Sequence, residues 1–271
     1  MPGPVELPLG FGREAFGTDP AGYHRARPAY PAATWLALRQ CAGLAAGTDV
    51  LEIGAGTGLA TGPLLAHEPA RLLAIEPDAR LASYLVETLP DPRLKILQQP
   101  FELVALGDAS FDLAVSATAF HWLDAIPALN KIRMALRPGG AVALVWNVFG
   151  DPQRHDEFHE ATIQLFADHA ISPSAGGNMQ VPHALQSDAR RDDFLVAGLI
   201  PDEPEYIAWT LSLDAEGIRG LYASFSNVTV LPHDERGPLL DALAETAAVR
   251  FGGQVERNMV TAIHIARRGI D

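Results

Sequence analysis

With 271 residues, 48% of them hydrophobic, the chain can bury a sizeable core, and its 33 acidic against 20 basic side chains give a net charge of −13. That balance excludes the basic stripe that long nucleic acid or an anionic membrane surface requires, no apolar run approaches the roughly 18 residues of a membrane span, and residues 1–16 lack the basic and apolar regions of a secretory signal. The lone Cys41 has no internal disulfide partner, so the expectation is a cytoplasmic protein whose partner is a small molecule, with no nucleic acid and no membrane; the oligomeric state stays open.

After an irregular start, residues 32–44 carry apolar side chains at helical spacing behind Tyr30-Pro31, a favourable helix start. Strands are predicted at 50–53, 72–76, 94–97, 111–115 and 141–146. Helices fall between them at 59–67, from about Pro77-Asp78 onward, and at 125–136, the last stopping at Arg137-Pro138-Gly139-Gly140. Strands alternating with helices predict an α/β fold with a doubly wound, mostly parallel sheet. Residues 151–202 then give an acidic, His-rich helix, a Pro/Ser/Gly segment at 172–178 and another short helical stretch. That is too long for a simple connection and reads as a helical lid insertion. A strand at 206–213, a helix at 238–249 and a strand at 255–266 are expected to complete the sheet.

The strand at 50–53 runs directly into Gly54-Ala55-Gly56-Thr57-Gly58. Glycine accepts positive φ and has no Cβ, so a ligand can lie on the main chain of such a turn. Glu76 ends the next strand about 20 residues later, the spacing at which a carboxylate meets ribose hydroxyls. A nucleoside-bearing cofactor is therefore expected. A dinucleotide fingerprint needs G-x-G-x-x-G, and here Leu59 stands where the third glycine belongs.

The run Leu-Glu-Ile-Gly-Ala-Gly-Thr-Gly at 51–58 resembles motif I of the class I S-adenosylmethionine (SAM)-dependent methyltransferases, and the chain looks most like their type 11 subgroup, the trans-aconitate and quinone-biosynthesis set. Arg27-Pro28-Ala29-Tyr30-Pro31, Ser110-Phe111-Asp112-Leu113, Ala119-Phe120-His121-Trp122 and Leu136-Arg137-Pro138-Gly139-Gly140 carry the likeness further. So do Tyr222-Ala223-Ser224-Phe225-Ser226-Asn227 and the segment from Phe251 to Arg257. The resemblance implies a Rossmann-like fold in four parts: an N-terminal arm and helix (1–46) over the cofactor mouth, a SAM-binding core (47–150), the lid insertion (151–204), and C-terminal strands and helices (205–271).

It also implies roles. Gly54, Ala55 and Gly56 would bed the methionine portion of SAM, with Glu52 nearby. Glu76 would accept from the ribose hydroxyls, Pro77 would touch the adenine face, and Phe101 would offer its N–H or its ring. Relatives often end the third strand in Gly-Asp-Ala; this chain has Gln99-Pro100-Phe101-Glu102, so the acceptor for the adenine amino group is lost or moved, a candidate being Glu102. Ser116, after the fourth strand, is expected at the cofactor as well. For the acceptor, Tyr23, Arg25, Arg27, Phe120, His121 and Trp122 are candidates: the aromatic rings can face the sulfonium, the arginines can hold a carboxylate, and His121 is the one candidate proton acceptor.

His155 and His159 stand at i, i+4, but the intervening residues do not make H-E-x-x-H. They read as part of a solvated acidic lid helix, and no metal is expected. The function expected is in-line methyl transfer from SAM to a small molecule, releasing S-adenosylhomocysteine (SAH). The alternatives are a nicotinamide-dependent oxidoreductase, disfavoured by Leu59, and a non-catalytic SAM-binding protein.

Overall fold

The structure, a computed structural model, describes residues 7–13, 15–167, 169–175 and 181–270. Helices α1 (Pro20–Ala26) and α2 (Ala32–Cys41) lead into alternating β1 (Asp49–Ile53), α3 (Thr61–Ala66), β2 (Arg71–Ile75), α4 (Ala79–Thr88) and β3 (Leu94–Leu97). These are followed by β4 (Phe111–Ala117), α5 (Ala125–Ala135) and β5 (Leu136–Phe149). The second half contains α6 (Glu157–Thr162), α7 (Ser187–Val196), β6 (Leu199–Pro201), β7 (Glu205–Asp214), α8 (Ala215–Ala223), α9 (Ser226–Thr229), α10 (His233–Arg250) and β8 (Gln254–Arg268). Of the Pro/Ser/Gly segment read at 172–178, residues 176–178 lie outside the described residues, as do residues 1–6 of the N-terminal segment. Among the described residues no helix is long and apolar enough to cross a membrane.

All strands join one sheet in the order β3-β2-β1-β4-β5-β8-β6, with β7 also paired to β8. β1 to β5 pair in parallel, and β8 runs antiparallel to β5, β6 and β7. The fold is the expected α/β, Rossmann-like one. Its parallel strands are apolar on both faces because helices cover both: Leu51 and Ile53 of β1 pack in one core with Leu129 and Ile132 of α5, and Val50 packs in the other with Leu38 of α2 and Leu64 of α3. A third cluster joins Phe158 of α6 to Ile218 and Tyr222 of α8 and Leu240 and Leu243 of α10. The strand order reverses between β1 and β4, so the connections leaving their C-terminal ends diverge and open a crevice there.

Three local expectations are corrected. Arg137 to Gly140 do not form a separate turn; they lie within β5, in a register shift between Leu136 opposite Phe111 and Ala141 opposite Leu113. Gly140 is required there, since a Cβ would come within 3.0 Å of the Arg137 and Asp112 carbonyl oxygens. The helix read from Pro238 begins at His233 and carries Pro238 inside it, in the second turn, where its missing N–H removes the bond that would run to the Asp234 carbonyl. Finally, α8 had no counterpart in the reading. Gly217 and Gly220 dilute its helix propensity, and it is fixed by Asp214, whose carboxylate accepts from the Gly217 N–H at 2.7 Å.

Candidate active site

The glycine turn between β1 and α3 takes the backbone path its composition implies: φ is +73° at Gly54 and +57° at Gly56. The Gly54 and Ala55 N–H groups donate to the Ile75 carbonyl at 2.9 and 3.1 Å, which ties the turn to the end of β2. A Cβ on Gly54 would lie 2.4 Å from the Ala119 Cβ, whereas a Cβ on Gly56 would project into open space. Glu76, immediately after β2, accepts from the Gly56 N–H through Oε2 at 2.8 Å and from the Asp78 N–H through Oε1 at 2.9 Å. Each carboxylate oxygen keeps a lone pair for a ligand.

Burial pushes the Glu76 carboxyl up to about 7, against the pull of those two backbone donors. Glu52, on β1, is more extreme. Its side chain is buried, its Oε2 has no hydrogen-bond partner, and burial, with the neighbouring Glu76 charge, pushes it up to about 8. A buried acceptor without a partner is costly unless something arrives to meet it.

Glu52, the glycine turn, Glu76, Pro77 and Phe101 line one cavity, of about 130 Å³, at the C-terminal ends of β1 and β4. Arm residues close over it: Tyr23 of α1 and Phe16 both reach it, their rings 5.4 Å apart, and His24 of α1 meets the hydroxyl of Thr57 in the turn at 3.1 Å. Leaving β4, Thr118 takes φ +54°, an uncommon conformation for a threonine. Its hydroxyl is 2.7 Å from the Tyr30 hydroxyl.

A second cavity, of about 480 Å³, lies alongside, between the sheet ends and residues of α6, α8 and the 163–175 segment. The two share Phe16, Tyr23, Arg27, Trp122 and Phe149 among their walls. Arg27 sits in that shared wall with its guanidinium carbon 4.9 Å from the Phe225 ring centroid and 5.2 Å from that of Tyr23. Its Nη2 donates to the Ser224 carbonyl at 2.7 Å. Arg257 also lines the second cavity, but its charge is met by Asp156 at 2.8 Å and it donates to the Tyr222 hydroxyl at 2.6 Å.

His121 is buried in the second cavity wall. Its Nδ1 accepts from the Trp146 indole N–H at 3.1 Å, and burial, with His183 and Arg27 nearby, lowers it to about 3.

Of the residues read from sequence, Glu52, Gly54, Ala55, Gly56, Glu76, Pro77 and Phe101 meet at the first cavity, and Tyr23, Arg27 and Trp122 line both. Three are not brought in. Ser116 is buried with its hydroxyl donating to the Ile53 carbonyl at 3.0 Å, a tie between β4 and β1. Phe120 is fully buried in the core below. Arg25 is exposed on α1 and lines neither cavity. His155 precedes α6, whose N-cap is Asp156, and faces Glu160 at 3.1 Å; His159 instead lines the second cavity, so the i, i+4 pair does not share a helical face. Residues not anticipated are Thr118, Trp146, Asn147, Phe149 and Phe166. Asn147 and Phe149, polar and aromatic at the end of an apolar strand, were the available signal.

Residues 51–144 match the family model described as a methyltransferase domain. An uncharacterized methyltransferase of Mycobacterium tuberculosis is 36% identical over 135 residues, 49% of this chain and 52% of the relative. A malonyl-[acyl-carrier protein] O-methyltransferase of Dechloromonas aromatica is 33% identical over 129 residues, 45% of this chain and 47% of that protein. The chain spans about half the length of the curated relatives it matches. Among solved structures, a candidate type II methyltransferase from Anaeromyxobacter dehalogenans aligns with a TM-score of 0.66 at 22% identity, over 90% of this chain and 99% of that one, a likeness of fold.

Proposed function

Proceeding from a chain whose residues 51–144 match a methyltransferase domain, we propose that it is a SAM-dependent methyltransferase acting on a small molecule, in the type 11 set that its motifs resemble. The observation that carries this reading is the pair of cavities with a common wall: one fits the methyl donor, the other an acceptor, and the methyl group crosses between them.

The residues of the first cavity fit SAM on their own chemistry. Glu52 Oε2, buried and unpartnered, suits a cationic or N–H-bearing methionine portion. Glu76 has lone pairs for the ribose hydroxyls, and Pro77 and Phe101 offer apolar surface for the base. When bound, SAM supplies a methyl group already activated on a sulfonium. What remains for the protein is to hold the acceptor in line and exclude water, work suited to Phe16, Tyr23, Trp122 and Phe149 at the shared wall. The N-terminal arm (1–46) would cover the donor and the 151–204 insertion the acceptor, with residues 205–271 completing the sheet. A similar malonyl-[acyl-carrier protein] O-methyltransferase puts oxygen among the acceptor atoms to assay.

Isothermal calorimetry with SAH tests the reading. Micromolar binding is expected, weakened by about 1.5–3 kcal/mol in Glu76→Ala, the range for hydrogen bonds to a charged group. Absence of SAH binding by the wild-type protein would refute it and make NAD(H) the next titrant.

A further inference from the structure

We infer that Asn147 is a positioning residue: a one-way chain of hydrogen bonds, from Trp209 through Thr261, fixes its amide so that it holds residues 27–31 of the arm over the first cavity and slows the escape of a ligand bound there. The inference rests on the methyltransferase reading for the identity of that ligand, SAM or SAH.

The strand register puts the three side chains together. Asn147 of β5 stands directly opposite Thr261 of β8. Across the other edge of β8, Thr261 is opposite Ile207 of β7, so Trp209, two residues further on, is its diagonal neighbour on the same face. Trp146 and Val148, on either side of Asn147, face the opposite way into the core shared with α5. Asn147 and Thr261 are thus polar interruptions in two apolar strands, and Thr261 is completely buried. A buried polar side chain of this kind has to be hydrogen-bonded.

Those hydrogen bonds run in one direction. The Trp209 indole N–H, which can only donate, meets the Thr261 hydroxyl oxygen at 3.0 Å. The hydroxyl in turn donates its own proton to Asn147 Oδ1 at 2.7 Å. Asn147 Nδ2 therefore faces the arm, where it donates to the Pro28 and Ala29 carbonyls at 3.2 and 3.4 Å. The reversed amide would set Oδ1 against two carbonyl oxygens, so the chain of donors selects the orientation that grips the arm.

The arm needs such a partner. α1 ends at Ala26 and α2 begins at Ala32, so the Pro28 and Ala29 carbonyls lie outside both helices and must be met from elsewhere. The stretch carries Arg27, Pro28 and Tyr30, all in the wall of the first cavity, and Arg27 reaches the second as well. Its two ends are tied to other elements, Arg27 to the Ser224 carbonyl and Tyr30 to the Thr118 hydroxyl. Asn147, itself in the walls of both cavities, holds the middle. Without that grip the stretch can lift between its ends, and the first cavity opens.

The test turns on Thr261→Val, which keeps the shape of the side chain and removes a hydroxyl that lines neither cavity; Thr261→Ser and Asn147→Ala are its companions. Release of SAH is followed by stopped-flow tryptophan emission, Trp122 lying in the wall of the first cavity. Backbone hydrogen exchange is read on peptides from residues 20–31 and, for comparison, from α10. Thr261→Val is expected to speed SAH release more than twofold, up to the roughly tenfold that one hydrogen bond contributes, and to speed exchange in the arm while α10 is unchanged. Thr261→Ser should restore both. Because Thr261 acts through Asn147, adding Thr261→Val to Asn147→Ala should change release by less than twofold. Release within twofold of wild type in a folded Thr261→Val, acceleration of α10 as large as that of the arm, or substitutions whose effects multiply would overturn the inference. Thermal melts show which variants are folded, and if Thr261→Val is not, Asn147→Ala against wild type carries both readouts. Failure of the wild-type protein to bind SAH would remove the methyltransferase reading itself, and exchange in the ligand-free arm would still decide whether Asn147 holds it.

Discussion

The Trp146 indole N–H donates to His121 Nδ1 at 3.1 Å, with both rings buried. An indole nitrogen has no acceptor capacity, so this bond assigns the histidine tautomer and fixes which edge faces the second cavity. It also takes His121 out of the role of proton acceptor that its sequence position suggests. The ring, held at about 3, should remain neutral and in the Nε2–H form from pH 5 to 8, which ¹⁵N NMR of the histidine side chains can read directly. In Trp146→Phe the neutral form loses a hydrogen bond of about 0.5–1.5 kcal/mol, so the His121 pKa should rise by up to about one unit. A His121 that titrates near 6.5 in the wild-type protein would refute this assignment.

Opposing buried groups should give the ligand-free protein a stability plateau in mildly acid solution. His121 and His183 are lowered to about 3, chiefly by burial. Between about pH 3 and 6.5 the unfolded state therefore binds more protons, and their contribution is lost as pH falls. Glu52 and Glu76 are raised to about 8 and about 7, again chiefly by burial. From about pH 4.5 upward the folded state therefore binds more protons, and their contribution is lost as pH rises through those values. The two effects largely offset each other between about 4.5 and 6.5, with buried His264, also lowered by burial, adding to the histidine side, and a fall follows on either side, each group contributing on the order of 1.4 kcal/mol per pH unit. Urea unfolding at pH 5.5, 6.5 and 8 should show the alkaline fall, and Glu52→Gln should flatten it by about one group's share.

The two glycines of the turn should fail differently. Gly54→Ala meets the Ala119 Cβ at 2.4 Å and a φ of +73°, so it should cost about 1–3 kcal/mol of stability. Gly56→Ala has open space ahead of it; it should lower stability by about 1 kcal/mol for its φ and weaken SAH binding more than it weakens the fold, because Gly56 lines the first cavity. Thermal melts paired with SAH calorimetry separate the two. Equal loss of stability would count against the geometry.

Asp156 and Arg257 are both almost completely buried, 2.8 Å apart, and connect α6 to β8 behind the second cavity. Asp156→Ala leaves Arg257 charged without its partner and should destabilise by about 3–5 kcal/mol. Replacing both with leucine and methionine should recover much of that loss. Denaturant midpoints for Asp156→Ala and the double variant give the answer.

Much of the fold was legible because its signals are local. Apolar runs of 4 to 6 residues between helical stretches point to β1 to β5, and Asp78 reads as a helix start before α4, where its side chain accepts from the Arg80 N–H. The Gly54–Gly58 turn and Glu76 were legible for the same reason: positive φ and a fixed distance along one β-α-β unit are written into consecutive residues. The roles of Ser116 and His121 were not. Each depends on what stands across the sheet, the Ile53 carbonyl in one case and Trp146 in the other. The extended strands around them leave either outcome open until the register of β1, β4 and β5 is set.

The sequence by itself determined a Rossmann-like α/β sheet, a glycine turn and the acid that faces it, because those features are settled within a few tens of residues by sterics and spacing. Only the tertiary structure decided the second cavity. The second cavity draws on the arm, the ends of β4 and β5, α6 and α8, and Arg27 donates to the Ser224 carbonyl, 197 residues further along. No periodicity predicts which arginine will find a carboxylate and which will be left with its charge unmet; that follows from packing, since burial fixes which partners each guanidinium can reach.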